Sequence, residues 1–220
     1  MKKILFAAML IVTSFAFGQN CKSFYYLQNN KTIEMTFFNK KNEPDGKQVF
    51  TVSDVKTAAG TTTGHISSEL FDKKGKSIAK GESMIKCNGG VFMVDLKMNL
   101  PQQSQSATGK LENAYIEYPA SMIVGDVLKD GTMDLETDKD GMKQSTKIEI
   151  TNRKVEGKES ITTTAGTWEC FKITYKSKIT TKVMSIGIPI KMDVIEWYAP
   201  GFGVVKTEAK GRTTAITSIK

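Results

Sequence analysis

Apolar and polar side chains alternate with a period of two through nearly the whole chain beyond residue 30, the rhythm of strands with one buried face. Ile33, Met35 and Phe37 alternate with polar neighbours, and Asn42-Glu43-Pro44-Asp45-Gly46 then breaks the chain before a second run, Gln48 to Val55. The same grammar gives His65 to Phe71, a turn at Asp72-Lys73-Lys74-Gly75-Lys76, Ser77 to Lys86, a turn at Asn88-Gly89-Gly90, and Val91 to Leu100. The second half yields Thr132 to Thr137, a turn at Asp138-Lys139-Asp140-Gly141, Gln144 to Thr151, and Lys154 to Thr163. After an Ala165-Gly166 break come Thr167 to Ser177, Lys182 to Tyr198, Val204 to Ala209 and Thr213 to Ile219. Regular strands separated by Gly and Asp turns predict an all-β, mostly antiparallel domain, built as one sheet, a sandwich or a barrel.

The rhythm falters between the halves, where Pro101-Gln102-Gln103-Ser104-Gln105-Ser106 is polar and rich in turn formers. Leu111, Ala114, Tyr115 and Tyr118 then fall at helical spacing, while Ala114, Ile116 and Tyr118 fit a strand equally well. A loop or short helix spanning 101–124 therefore joins two similar halves, 19–100 and 125–220, of a single β-rich domain, either as a lid or as an ordinary surface crossover.

Two apolar faces are unusually long. Phe92, Val94, Leu96, Met98 and Leu100 make one, and Met184, Ile186, Ile188, Ile190, Met192 and Val194 make the other. Such faces either pack against each other as a core or line a cavity for an apolar ligand. In the second case Phe92, Val94, Leu96, Met98, Tyr115, Met184, Ile186, Ile188 and Met192 are the expected lining. Methionine, frequent here, suits adaptable apolar surfaces.

The first residues change the picture of where this domain works. Lys2 and Lys3 precede an uncharged apolar run from Ile4 to Phe17, and Ala16-Phe17-Gly18 offers small residues at the positions a signal peptidase reads. The run is shorter than the roughly 20 residues of a membrane-spanning helix. Residues 1–18 are expected to leave as a signal peptide, so that residues 19–220 are exported to the periplasm or outer surface of a Gram-negative bacterium and do not span a membrane. Asn20 disfavours lipid attachment at Cys21, where a small preceding residue is wanted. In an oxidising compartment three cysteines allow one bridge and one leftover thiol. Cys21 with Cys87 is the expected pair, tethering the N-terminal end to a strand, and Cys170 reads as a small buried hydrophobe.

The formal charge of +8 is spread singly and in pairs among acids, without basic runs interleaved with aromatics, which argues against nucleic acid as a partner. Catalytic chemistry is equally hard to assemble. His65 is the chain's one histidine. It shares a strand face with Ser67 and Glu69, but a flat strand offers neither a nucleophile turn nor oxyanion donors. Asp138 to Glu149 has the span of a calcium loop, yet its middle belongs to a strand. Gly201-Phe202-Gly203 lacks the strand-to-helix setting of a phosphate loop. The expectation is no enzyme, no metal and no cofactor.

Several longer segments resemble the TapB-like family of exported Gram-negative proteins. They are Tyr118-Pro119-Ala120-Ser121-Met122-Ile123-Val124-Gly125-Asp126-Val127-Leu128, Asn152-Arg153-Lys154-Val155-Glu156, the run Glu159 to Trp168, and Glu196-Trp197-Tyr198-Ala199-Pro200-Gly201-Phe202-Gly203-Val204-Val205-Lys206. Cys21 and Cys87-Asn88-Gly89-Gly90 fit the same pattern. The resemblance implies a strongly curved antiparallel sheet, an open half-barrel similar to periplasmic lipoprotein carriers, and no catalytic residues. The family is largely of unknown function; by analogy with those carriers, the expectation is a non-enzymatic envelope protein holding a lipid or other apolar molecule on a concave sheet. The alternative is a structural or protein-interaction module of the envelope without a small ligand.

Overall fold

Each strand pairs with the next one in the chain except at a single break, and that break decides the shape. The computed structural model describes residues 21–99, 115–139, 142–183 and 186–220. Its strands are β1 (Thr32–Phe38), β2 (Pro44–Ala58), β3 (Thr61–Asp72), β4 (Ser77–Asn88), β5 (Val91–Asp95) and β6 (Tyr115–Tyr118). The second half adds β7 (Gly131–Lys139), β8 (Met142–Thr163), β9 (Gly166–Val183), β10 (Ile186–Ala199), β11 (Gly203–Ala209) and β12 (Arg212–Ile219). All twelve form one antiparallel sheet in the order β6-β5-β4-β3-β2-β1-β12-β11-β10-β9-β8-β7. The first and last strands are thus neighbours, with Ile33 opposite Ile219, while the consecutive strands β6 and β7 end on opposite edges.

A right-twisted sheet of this width curls round, and here its two edges meet. Lys129 Nζ donates to Glu117 Oε1 across the gap at 2.7 Å. At the start of β7 a Cβ on Gly131 would lie 2.5 Å from Ile116 Cδ1 of β6, so any side chain there would have to push the tip of Ile116 aside. The result is a nearly closed barrel, carried further round than the open half-barrel implied by the family resemblance.

The connection after β6 runs back along β8: Leu128 N donates to Arg153 O at 2.9 Å and Val155 N to Asp126 O at 2.9 Å. Opposite it, β8 bulges. Thr151 faces Lys176 but Lys154 faces Thr174, leaving one extra residue on β8. Asn152 takes up the kink with φ 58°, a left-handed conformation that asparagine tolerates. The bulge shifts the inward face from even to odd numbers: Ile148 is buried before it, Arg153 and Val155 after it. Gln144–Thr151 and Lys154–Thr163 are therefore one strand.

Two other boundaries differ from the sequence reading. The run Val91–Leu100 stops being a strand at Asp95, whose Oδ1 accepts from Lys97 N at 2.9 Å and turns Leu96–Asn99 into a 3-10 turn. Gln48 Nε2 on β2 then donates to Met98 O at 3.1 Å and holds the turn against the barrel. The run Lys182–Tyr198 is divided between β9 and β10. The leader 1–18, Leu100, Leu111 and Ala114 within the crossover, Asp140-Gly141 and Met184 lie outside the described residues.

One end of the barrel is filled by the N-terminal 3-10 turns Cys21–Ser23 and Tyr25–Leu27. Phe24, Tyr26 and Leu27 are fully buried there, and the Phe24 ring stacks on Phe92 with centroids 4.5 Å apart. The chain makes room for them at Gly203 (φ 134°), where a Cβ would come 3.1 Å from the Tyr26 ring. A disulfide between Cys21 and Cys87, the expected pair, pins this plug to β4.

Candidate functional site

About eight strands make a barrel whose interior side chains can just fill it; twelve make one too wide. The surplus is a cavity of about 360 Å³. At ~30 Å³ per water-sized group it holds roughly a dozen of them. Its walls are apolar and come from all round the sheet: Met35, Phe50, Ile85, Val94, Ile116, Ile148, Ile150, Ile179 and Val194 among them. Tyr26 and Phe92 close it at the plugged end, while the lining residues Phe37, Leu70, Ala209 and Thr214 towards the other end are half-buried.

A polar cluster interrupts this wall. Arg153, with no exposed surface, donates from Nη1 to Glu117 O at 3.0 Å and to Lys129 O at 2.9 Å, and so ties together the two edges of the sheet. Its guanidinium lies 5.0 Å from the Tyr118 ring centroid, and that ring stacks on Tyr198 at 4.4 Å. Glu196, on β10, is buried beside them and accepts from Tyr118 OH at 2.8 Å and Tyr175 OH at 3.4 Å. Burial pushes the Glu196 carboxyl above the usual range, against the opposing pull of the Arg153 charge and the two phenols. Burial, then the neighbouring Glu196 carboxylate, drives Tyr118 and Tyr175 well above the ordinary tyrosine value.

Of the residues expected to line a cavity, Phe92, Val94, Leu96, Met98 and Met192 stand on this wall. Leu96 and Met98 reach it from the 3-10 turn, not from a strand. Tyr115 does not line it. Alternation gives the inward position to Ile116, and Tyr115 turns out, half-buried beneath Lys86 Nζ at 4.5 Å. Ile188 is 70% exposed, because β11 pairs with β10 only from Val194 onward and leaves the first half of β10 beyond the rim with β9 alone. Ile186 begins that projecting half, and its side chain lies outside the described residues.

The charged members of the cavity, Arg153, Glu196 and the buried Asp95 that ends β5, were missed. Arg153 sits in the polar run Asn152-Arg153-Lys154 and reads as solvated; its one clue is the preceding asparagine, able to carry a bulge. Glu196 falls in phase with Met192 and Val194, on the apolar face of β10, and that phase was the available signal. Outside the barrel, His65 Nε2 lies 2.8 Å from Glu82 Oε2 and Nδ1 lies 3.4 Å from Ser53 Oγ; its polar partners thus include neither Ser67 nor Glu69. Cys170 is buried and free, its thiol pushed up to about 12 by burial and then by Glu169 and Glu159, which keeps it from acting as a thiolate. Among the described residues no helix is long and apolar enough to cross a membrane.

A family model described as DUF3108-like matches residues 28–220. Among curated proteins none matches the chain. Two crystal structures share its fold. One is a "putative lipoprotein" from Parabacteroides distasonis, 21% identical, with a TM-score of 0.73 over 92% of this chain and 100% of that one. The other is a "putative exported protein with YmcC-like fold" from Bacteroides fragilis, 20% identical, with a TM-score of 0.69 over 88% of this chain and 96% of that one.

Proposed function

We propose, for a chain that belongs to the DUF3108-like family, that it is an exported, non-enzymatic envelope protein carrying a lipid or other apolar chain inside its barrel. The observation that carries this reading is the apolar cavity of about 360 Å³. Native cores are packed almost without voids larger than a water molecule, so a space of this size is exceptional for a purely structural sheet. Export is supported by the Cys21–Cys87 bridge, a bond that persists in oxidising compartments. The two solved neighbours, described as a lipoprotein and an exported protein, agree with it. The finer TapB-like assignment rests on the segments quoted above.

Native mass spectrometry of protein purified from its own host tests the reading. A co-purifying lipid mass is expected. A clean apo mass, together with no uptake of a fluorescent fatty acid, overturns it. The second reading, an interaction module, is favoured by exposed Ile188 and Ile190 on the projecting half of β10 and by exposed Ile123, Val124 and Val127 in the β6–β7 connection. Cross-linking in cells to a stable protein partner supports that one.

A further inference from the structure

Among the described residues, three buried side chains carry polar atoms with no hydrogen-bond partner, and of these Arg153 alone lines the cavity. Its Nη1 serves the two carbonyls at the sheet edges, while Nε and Nη2 have no acceptor among the described residues. Those two nitrogens form one edge of the planar guanidinium and donate in parallel, the geometry that matches both oxygens of a carboxylate or two of a phosphate. Buried donors left without acceptors are unfavourable, and those of a charged group the more so. Glu196 lies close enough to feel the Arg153 charge but does not fill that edge: no salt bridge joins the two, and its oxygens take the Tyr118 and Tyr175 hydroxyls. Apolar wall and unmet cationic fork thus face one space.

We infer that the cavity takes an anionic amphiphile, its apolar tail along the barrel wall and its carboxylate or phosphate head bidentate on Nε and Nη2 of Arg153. This rests on the ligand-carrying reading above and narrows its ligand class.

Isothermal titration of the exported chain with decanoate, decyl phosphate and decan-1-ol separates the two ideas. Decanoate or decyl phosphate is expected to bind on the order of tenfold to hundredfold tighter than the alcohol, as charge-assisted hydrogen bonds allow. Whichever anion binds tighter identifies the head group. Arg153→Lys, which keeps the charge but loses the fork, is expected to give up most of that preference while still binding decan-1-ol. Equal affinity for alcohol and anions in the unaltered protein overturns the head-group inference and leaves the cavity reading standing. No binding of any of the three overturns both. Because the alcohol-to-anion ratio is read on the unaltered protein, the test survives a variant that fails to fold.

Discussion

Removing the Cys21–Cys87 bridge by Cys21→Ala/Cys87→Ala should free the plug and expose the closed end of the cavity. Ordering the seven residues Cys21–Leu27 costs about 1–2 kcal/mol each in backbone entropy, roughly 10 kcal/mol together. Burying Phe24, Tyr26 and Leu27 returns about 1.5–3 kcal/mol each, roughly 6 kcal/mol. The difference is close to the ~4 kcal/mol that chain-entropy arguments assign to a bridge closing a 66-residue separation. The bond therefore decides whether the plug stays seated. For a chain of this length ~4 kcal/mol lowers Tm by about 8–16 °C. Hydrogen exchange should accelerate at the Leu27 amide, which donates to Phe24 O at 2.9 Å. A Tm within about 2 °C of the parent, with unchanged exchange at that amide, would refute the reasoning and mean that packing alone holds the plug.

Two further outcomes follow from the cavity. Glu196 has its carboxyl raised above the ordinary 4.5 by burial, so the folded protein holds that proton more tightly than the unfolded chain. Its stabilising contribution is full below 4.5 and is lost as pH rises through the folded value. Glu196→Gln cannot lose a proton, so its Tm relative to the parent should climb as pH is raised from about 4.5; a relative Tm that falls instead would show the Arg153 charge outweighing burial. Val194→Phe should put a ring into the empty space, weakening uptake of a fluorescent fatty acid by about tenfold or more. Its stability should change by less than about 1.5 kcal/mol, since the added volume meets a void and not packed atoms; unchanged uptake would place the ligand elsewhere.

Local chemistry made the strands legible and left their closure hidden. Alternation at Ile33, Met35 and Phe37 tells that β1 has an inward face, but nothing within seven residues tells that Ile219 will lie beside Ile33. The cysteine pairing was readable because an oxidising compartment and a thiol at the start of the chain leave few choices. The residues that give the cavity its polarity were not. Arg153 is brought inward only by the bulge at Asn152, a shift of one residue that inverts the assignments just after it, and the pattern of polar neighbours carries no mark of it. Leu96 and Met98 kept the apolar period of a strand while Asp95 bent the backbone into a turn. Ile188 kept the same period on a stretch whose neighbour, β11, had already ended.

The strand order has a bearing on how the molecule assembles. Apart from the β1–β12 contact, each ladder joins successive strands, so the two halves can zip up independently as up-and-down ribbons and must then find each other across almost the full contour of the polypeptide. Contacts that distant are slow to form. Circular permutation that fuses β12 to the N-terminal plug and opens the chain between β6 and β7 would make the slowest encounter a local one, so refolding should quicken while the native architecture stays as it is.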